Sequence, residues 1–530
     1  MRISKLFVVA GASFAAAACQ ELEVTNPNAP DRERATKQPT AAESFVASSF
    51  RTWWPVSGHD DYPAWAFSVS AQEISSGFAD FGQFEVSAEP RSAWNNSPVN
   101  ARNQVNQDPW YGLLRTISSV NDALIAIDSG LVIENATRTA RTRAVGKFMQ
   151  GISHGQLGLY YDKAFIVDEK VALDTITTPE FHPYPALIAA SIVQLDAAIA
   201  IATTNSFTLP VDSWLFQAMS SAELARLANS FAARFLAYSP RTRAERAAVN
   251  WAEVIRRIDA GITTDFQPVA QVDILWDDWK RLVARVRGTG APSDFGRPSY
   301  WLLGPADSTN GFLNWLNTPL ANRVAYQIRT KDRRIHGATG PTSPGKYLGY
   351  TATNVGVASR GSWRFSHYYF HRFGTGLTWQ TGPQPAVTVT EMDLLKAEAL
   401  IRLNRAAEAV PLINKTRIAN GQLPAVTING PPDEPGCVPR KLNGQCGSLW
   451  DALRYEKGIE MVGVDGVVRF FDARGWQMLS PDAFTQLPVP GRELATLRLE
   501  SYTFGGPGGQ SSAPAPDPER CPVALPRCPT

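Results

Sequence analysis

Hydrophobic side chains recur with the 3.6-residue period of an amphipathic helix in two long parts of the chain, about 110–261 and about 386–475. A shorter run with the same period covers 41–50. Turns that contain glycine, proline or polar residues divide the first long part into separate helices. The predicted helices cover 110–131, 137–161, 185–201, 220–238 and 250–261, and Ser220 or Ser221 is the expected N-cap of the fourth.

The second long part begins with a pair of helices that form the clearest local structure in the sequence. Apolar residues share one face of the segment 391–403 and one face of the segment 406–419, with a turn at Asn404 and Arg405. Small alanines at the contact predict a close antiparallel hairpin, which is the unit of a tetratricopeptide-type repeat. The strict period of that repeat is not kept along the chain, so we predict degenerate, interrupted repeats.

The helical period is lost over about 51–109 and about 262–385, where tryptophan stands among glycine, proline, serine and asparagine. One segment of the second stretch, 362–373 (SWRFSHYYFHRF), alternates as a strand does. We therefore predict a mostly α fold with little β structure. A tetratricopeptide-like helical-repeat scaffold carries an irregular, aromatic-rich ligand lobe within a single body, 41–530.

The N-terminus has the pattern of a secretory signal over 1–18, with Arg2 and Lys5 ahead of an apolar run that ends in small alanines. Cys19 follows at once, and the motif resembles a bacterial lipobox except that Ala16 stands where leucine is usual. We predict that Cys19 is lipidated and that the polar, proline-containing segment 19–40 is a tether. Plain secretion with an incidental cysteine is the alternative.

Composition narrows the function classes. The chain has 530 residues, of which 44% are hydrophobic and 19% charged, as expected of a globular protein with a large core. Removal of 1–18 would lower the formal net charge from +2 to zero. There is no basic stripe for a nucleic acid, so we predict no nucleic-acid partner. No second long apolar run follows residue 18, which predicts a soluble body.

The remaining cysteines fall in two close pairs, Cys437 with Cys446 and Cys521 with Cys528. Both pairs lie among proline, glycine and polar residues, and in an oxidising compartment two local disulfides are expected. They would staple the C-terminal loops at about 430–447 and 515–530. A zinc site is disfavoured because neither spacing suits it and no histidine lies nearby.

The sequence matches known catalytic motifs only weakly. The segment 151–155 (GISHG) matches the G-x-S-x-G nucleophile elbow, but its flanks predict one continuous helix instead of a strand and a helix. No H-E-x-x-H, P-loop or G-x-G-x-x-G motif is found, and we predict no metal and no cofactor. The adjacent carboxylates Asp60-Asp61 and Asp277-Asp278 would usually diverge, yet a pair for glycoside hydrolysis needs only to meet in space.

Aromatic residues in the irregular stretches suggest a sugar-binding shelf, because sugars present apolar CH faces that stack on such rings. Asparagine and other polar side chains beside them would bind the hydroxyl groups. Packing in the core is the competing interpretation for each aromatic ring. The candidate ligand-binding residues are Trp53, Trp54, Trp65, Trp94, Asn95, Asn96, Tyr300 and Trp301.

Four segments of the chain resemble the SusD/RagB family of outer-membrane nutrient-uptake lipoproteins. The opening CQELEVTNPNAPDRERA resembles the Cys-led start of the family, and ISSGFADFGQFEVSAEPRSAWNN resembles its segment after the first helix. TVTEMDLLKAEALIRLNRAAEAVPLINKTRIANG resembles its C-terminal helical hairpin. LWDALRYEKGIEMVGVDGVVRFFDARGW, followed by QLPVPGREL, resembles its helix with an Arg-Phe-Phe-Asp turn and its closing segment.

The resemblance implies a non-enzymatic surface lipoprotein of the outer membrane. It would bind oligosaccharides, or in some members peptides, and pass them to a SusC-like TonB-dependent transporter barrel. Gln20 in place of aspartate also favours the outer membrane. Two other hypotheses remain open at this point: a secreted glycan hydrolase on a helical scaffold, and a repeat scaffold that binds no small ligand.

Overall fold

A computed structural model describes residues 38–59, 61–76, 85–86, 91–171, 180–271, 274–275, 296–351, 365–372 and 382–514. Several predictions therefore fall outside the described residues. They concern the signal segment, Cys19 and most of the tether, the cysteine pair Cys521 and Cys528, and the carboxylate pairs at 60–61 and 277–278, of which only the backbone of Asp61 is described.

Helices dominate the described residues. In chain order they are α1 Pro39–Trp54, α2 Asp61–Ser70, α3 Gln104–Asp128, α4 Ala136–Tyr160, α5 Tyr184–Thr204, α6 Ser221–Tyr238, α7 Arg243–Ala247, α8 Trp251–Asp259, α9 Tyr300–Leu303, α10 Gly311–Asn317, α11 Val389–Arg402, α12 Ala406–Ala419, α13 Leu449–Met461, α14 Val468–Gly475 and α15 Gly491–Thr496. A π-helical turn, Pro55–His59, joins α1 to α2.

The strands are short and pair two by two. They are β1 Ile74–Ser76, β2 Lys163–Ala164, β3 His182–Pro183, β4 Thr208–Leu209, β5 Met219–Ser220, β6 Val269–Ala270, β7 Gly296–Pro298, β8 Leu348–Tyr350, β9 Tyr368–Phe370 and β10 Gly382–Pro383. The pairs β1–β7, β2–β3, β4–β5, β6–β10 and β8–β9 are all antiparallel, with Ile74 opposite Pro298 and Leu348 opposite Phe370.

Successive helices α3 to α6 pack against one another, and α11 packs against α12, α8 and α13. The predicted mostly α, helical-repeat fold with little β structure is confirmed. Local sequence fixes where several helices begin. Ser220 is the N-cap of α6, where its Oγ accepts a hydrogen bond from the backbone N–H of Glu223 and its own N–H donates to the Glu223 carboxylate at 2.7 Å.

Glycines on α4 allow its neighbours to approach closely. A Cβ on Gly155 would lie 2.3 Å from the ring of Phe235 in α6, and one on Gly151 would lie 2.7 Å from Leu195 in α5. Ser153 between them is fully buried within the helix. The G-x-S-x-G segment is therefore a packing feature of α4, and no strand precedes its serine as the nucleophile elbow requires.

Helix α5 is long and apolar enough to cross a membrane by length and composition alone. It packs between α4 and α6 and contributes Leu187, Ile188 and Leu195 to the main core. Of its most apolar window of 18 residues, 39% is buried in the fold, so packing against α4 and α6 accounts for part of its apolar character.

The stretch 51–70 is helical instead of irregular, which differs from the sequence-based expectation. Helix α1 continues to Trp54, and Gly58 with a φ of 120° turns the chain into α2. The rings of Trp53 and Trp54 each lie 5.5 Å from that of Phe50 in the main core. Burial of these large rings stabilises a helix that the local period does not predict.

Arginine–carboxylate networks tie the helices together in the interior. The Arg246 guanidinium on α7 binds Glu398 of α11 at 2.7 Å and Asp472 of α14 at 3.0 Å, and all three side chains are buried. The Arg334 guanidinium binds Asp332 at 2.7 Å and two glutamates of α13. These networks fix α13 and α14, the two helices on which the candidate site is built.

Candidate ligand-binding cleft

A cleft opens between the short helices α9 and α10, the loop 437–446, and the helices α13 and α14. Its volume is about 110 Å³, which is enough to hold several water molecules or one sugar ring. The lining residues are Trp301, Leu302, Pro305, Phe312, Pro439, Arg440, Lys441, Leu442, Asp451, Arg454, Tyr455, Gly458, Arg469 and Met478.

The loop that forms one wall is closed by a disulfide between Cys437 and Cys446, whose Cα atoms lie 5.8 Å apart. Arg440 anchors the loop from within. Its guanidinium donates to the carbonyl of Gly444 at 3.2 Å and to that of Thr309 at 2.8 Å, which joins the loop to the segment between α9 and α10. The disulfide and Arg440 together hold this wall in place.

Asp451 is fixed at the start of α13. Its carboxylate accepts hydrogen bonds from the backbone N–H and from the hydroxyl of Ser448, both at 2.8 Å, in a capping box. The same carboxylate binds Arg454 one turn later and lies 3.9 Å from Lys441. Burial would raise the pKa of Asp451, but the positive charge of Arg454 and the bonds from Ser448 outweigh it and lower the pKa.

Trp301 is the tryptophan in this cleft. Ser299 caps α9 by accepting a hydrogen bond from the Trp301 backbone N–H at 3.2 Å, which sets where the side chain leaves the helix. The indole is half-buried and meets Phe312 edge to face, with ring centroids 5.7 Å apart. It therefore combines a supported ring with a surface that faces the cleft.

Gly458 on α13 makes room for Arg469 of α14 beside the cleft. A Cβ on Gly458 would lie 2.8 Å from Nη1 of Arg469 and 3.5 Å from Leu302. Glycine is costly inside a helix, by roughly 1 kcal/mol relative to alanine. Here the missing side chain lets a guanidinium cross the face of α13 and reach the lining of the cleft.

Arg469 is nine-tenths buried, with 8% of its surface exposed. Within the described part of the chain it has no hydrogen-bond or ion-pair partner, and its Nε is buried without one. Burial lowers the pKa of Arg469, while the charges of Glu73 and Asp472 act in the opposite direction. Arg469 is thus a buried cation in the lining of the cleft, and no hydrogen-bond acceptor engages it among the described residues.

Most of the predicted sugar-binding tryptophans belong to the cores. Trp53 and Trp54 lie in the main core, where the Trp54 ring stacks on His59 with centroids 3.6 Å apart. Trp65 is 0% exposed and lies in a second hydrophobic core, to which Ile74 and Tyr300 also belong, while Trp94 is buried in the main core. The predicted shelf formed by these four rings is thus corrected: all four rings are buried inside the protein, and burial of so much apolar surface stabilises the fold.

The remaining candidates are divided. Asn96 is buried, and its amide donates to the carbonyls of Val489 at 2.9 Å and Tyr502 at 2.8 Å, so it serves the fold. Asn95 is exposed, apart from the cleft lining. Tyr300 is buried, with its hydroxyl 2.7 Å from a backbone carbonyl. Trp301 alone among the eight predicted residues lines the cleft.

Sequence reasoning missed the polar part of the cleft. Arg440 and Lys441 lie in the cysteine-flanked loop, and Arg469 begins the Arg-Phe-Phe-Asp turn. The sequence singles out the first segment by its cysteines and the second by its family resemblance, not by their basic residues. The signal that was available is a cluster of basic residues in a loop closed by two cysteines. Among the described residues, no group of three or more histidine, cysteine or carboxylate side chains is arranged to hold a metal ion.

No family model matches the chain, and no curated protein matches it in sequence. Solved structures do match it over most of its length. A SusD superfamily protein from Bacteroides thetaiotaomicron is 14% identical, with a TM-score of 0.54, and the match covers 87% of this chain and 97% of that one. A SusD homolog from Parabacteroides distasonis is 14% identical, with a TM-score of 0.52, and covers 82% and 84%.

A third similar structure is a SusD-like carbohydrate binding protein from Bacteroides fragilis. It is 13% identical, its TM-score is 0.53, and the match covers 92% of this chain and 96% of that one. Identities this low establish the fold alone. The chain has a SusD-like fold, and the resemblance noted in the sequence is confirmed at that level.

Proposed function

We propose that this chain is a cell-surface lipoprotein that captures an oligosaccharide, or a peptide, and delivers it to a SusC-like TonB-dependent transporter. The observation that carries the proposal is the cleft, in which the half-buried Trp301 ring stands among fixed polar donors. Binding sites of this kind combine apolar walls with a few well-placed polar groups. The carbohydrate-binding protein of the same fold supports a sugar as the ligand.

We further propose that the cleft binds its ligand without cleaving it. Glycoside hydrolysis uses a pair of carboxyl groups on either side of the scissile bond. Among the described residues that line the cleft, Asp451 is the carboxylate, and it is engaged by Ser448 and Arg454. The carboxylates of the interior networks are bound to arginine or lysine and do not line the cleft.

The test of ligand capture is a binding measurement on the mature chain with a panel of oligosaccharides, by isothermal titration calorimetry. We expect binding without release of reducing ends. Trp301→Ala should weaken binding about fivefold, because a stacked aromatic ring contributes about 1 kcal/mol. Trp450→Ala is the matched control, since Trp450 is also half-buried but packs against Trp476, away from the cleft.

Unchanged binding by the Trp301 variant would remove the cleft from the proposal, and turnover of any polysaccharide would replace it with the hydrolase hypothesis. Attachment is tested separately. Cys19→Ala should release the protein from the membrane fraction, since a lipidated N-terminus is the proposed anchor. Mild-detergent purification of the wild type should bring a TonB-dependent barrel with it. A Cys19 variant that stayed in the membrane would contradict the anchor.

A further inference from the structure

The cleft is cationic. Its lining contains the side chains of Arg440, Lys441, Arg454 and Arg469, against the single carboxylate of Asp451 among the described residues. Asp451 offsets Arg454 by direct contact and approaches Lys441. Because low-dielectric walls focus the field of charges of one sign, such a cleft concentrates anions. The lining of the cleft therefore carries an excess of positive charge, in a chain whose formal net charge is +2.

Arg469 is the part of this charge that the fold leaves unused. The guanidinium of Arg440 is occupied by backbone carbonyls, and Arg454 is paired with Asp451. Arg469 has neither kind of partner in the described part of the chain, although it is nine-tenths buried. An unsatisfied buried charge is costly, so its presence at a cleft requires a reason.

The nearby carboxylates do not supply that reason. Glu73 accepts hydrogen bonds from the backbone N–H of Gly463 at 3.2 Å and from the hydroxyl of Ser68 at 3.1 Å. Asp472 accepts from Lys457 at 2.9 Å and from Arg246 at 3.0 Å. Both act on Arg469 only at a distance, so neither accepts a hydrogen bond from this residue of the cleft lining.

We propose that the cleft selects acidic oligosaccharides, with the Arg469 guanidinium binding the carboxylate of a sugar acid while the sugar ring packs on Trp301. A guanidinium matches a carboxylate through two parallel N–H···O bonds, which are stronger than neutral hydrogen bonds. This inference rests on the proposed function, because it assumes that the ligand is a sugar and adds which sugars are taken.

A sugar acid suits the cleft better than a peptide does. The volume of about 110 Å³ fits one ring, and the same small space is bordered by an aromatic ring and by a guanidinium. A sugar acid carries its carboxylate directly on the ring, so one residue meets both features. A peptide that uses its C-terminal carboxylate is the competing ligand, and the experiment includes it.

The experiment measures binding of the mature chain to short oligomers of galacturonic, glucuronic and mannuronic acid, each beside its carboxyl-reduced neutral counterpart, by calorimetry at low ionic strength. At least one acidic oligomer should bind, and its reduced form should bind about tenfold more weakly or worse, as loss of a hydrogen bond to a charged group implies. Short peptides with free and with amidated C-termini form the second arm.

Two variants test Arg469 itself. Arg469→Met keeps the length of the side chain and removes the charge, and it should bind the acidic and reduced forms equally. Gly458→Ala adds a Cβ 2.8 Å from Nη1 of Arg469, so it should displace the guanidinium while it leaves the charge and favours the helix. Arg405→Gln, on an exposed turn, is the control for net charge and should bind as the wild type does. Circular dichroism checks that each variant is folded.

The outcomes separate the two proposals. Equal binding of acidic and neutral oligomers by the wild type would overturn the selection of acids and leave the sugar receptor intact. No binding of any oligomer or peptide would overturn both. Peptide binding that is lost on amidation would move the site to another ligand class. Full discrimination by a folded Arg469→Met variant would remove Arg469 from the account.

Discussion

Arg334 and Arg469 are both buried arginines beside α13, yet the fold treats them differently. The Arg334 guanidinium is bound by Asp332 at 2.7 Å, by Glu456 at 2.5 Å and by Glu460 at 2.9 Å. Arg469 has no such partner among the described residues. Where an arginine holds helices together, carboxylates occupy its donors, and where it borders the cleft, its donors are left for a ligand.

The difference shows how a structural charge can be told from a functional one, namely by whether neighbouring carboxylates bind it. A buried ion pair is weak evidence for stability, but a buried ion without a partner is expensive. Arg334 and Arg469 are the same residue type and are both buried, so neither residue type nor burial identifies the functional one. The presence or absence of partners does, and it yields predictions that differ for the two arginines.

The largest expected effect is on stability at Arg334. Arg334→Met would leave Asp332, Glu456 and Glu460 without their main cation, and we expect the free energy of unfolding to fall by about 3–5 kcal/mol. Arg469→Met removes a buried charge that has no partner among the described residues, so it should leave the free energy of unfolding unchanged or raise it. Urea unfolding followed by circular dichroism measures both. Equal losses would show that Arg469 is as structural as Arg334.

The next largest effect is on stability at Glu73, a buried carboxylate whose charge acts on Arg469. Burial raises the pKa of Glu73 from 4.5 to about 7, against the hydrogen bond from Gly463 and the charge of Arg469. The folded state therefore binds this proton more tightly than the unfolded state. The stability it contributes is fully present below pH 4.5 and is lost as the pH rises through about 7.

Glu73→Gln removes this dependence and keeps a hydrogen bond to Ser68. At pH 8 the variant should be more stable than the wild type by up to about 3 kcal/mol, and the difference should vanish below pH 4.5. Unfolding free energies measured from pH 4 to 8 give the comparison, with the exposed Glu500→Gln as control. A variant that is less stable at pH 8 would contradict the assignment.

The disulfide loop gives a smaller effect. Replacing Cys437 and Cys446 by serine opens a loop with a sequence separation of 9, and the entropy of the unfolded chain predicts a loss of about 2–3 kcal/mol. Because the loop carries Arg440 and Lys441, ligand binding should weaken as well. Reduction of the wild type should lower the unfolding midpoint equally, whereas the serine variant should not respond to reductant. An unchanged midpoint in both would show that the bridge does not constrain the chain.

The smallest expected effect is at Trp301, compared with the buried tryptophans. Trp301→Ala should alter the unfolding free energy by about 1 kcal/mol or less while it weakens ligand binding about fivefold. Trp54→Ala should instead destabilise the fold by about 3–5 kcal/mol, as truncation of a fully buried ring does. Thermal unfolding and calorimetry on the two variants test this. A large loss of stability at Trp301 would assign it to the core.

Much of the helical scaffold could be predicted from the sequence, because periodic apolar faces and caps are local. Ser220 caps α6 within the predicted boundary, and the predicted hairpin corresponds to Val389–Arg402 and Ala406–Ala419. The stretch with Trp53 and Trp54 escaped prediction because its helix is stabilised by distant packing against Phe216, Phe231 and Phe266.

The site could be predicted only in part. Trp301 was among the candidates, but the sequence does not distinguish a tryptophan that lines a cleft from one in the core, since the same kinds of residues flank both. Arg469 could not be recognised at all, because its distinguishing property is that it has no hydrogen-bond partner among the described residues, and this is visible only in the folded chain. Gly458, which makes its room, is one glycine among 39.

The most direct test of the account is the energetic coupling between Arg469 and the carboxylate of the ligand. Calorimetry on wild type and Arg469→Met, each with an acidic oligomer and its carboxyl-reduced form, yields this coupling. The account predicts about 1.5 kcal/mol or more, because removing the charge from either side should remove the same interaction. Additive effects of the two changes, with no coupling between them, would contradict it.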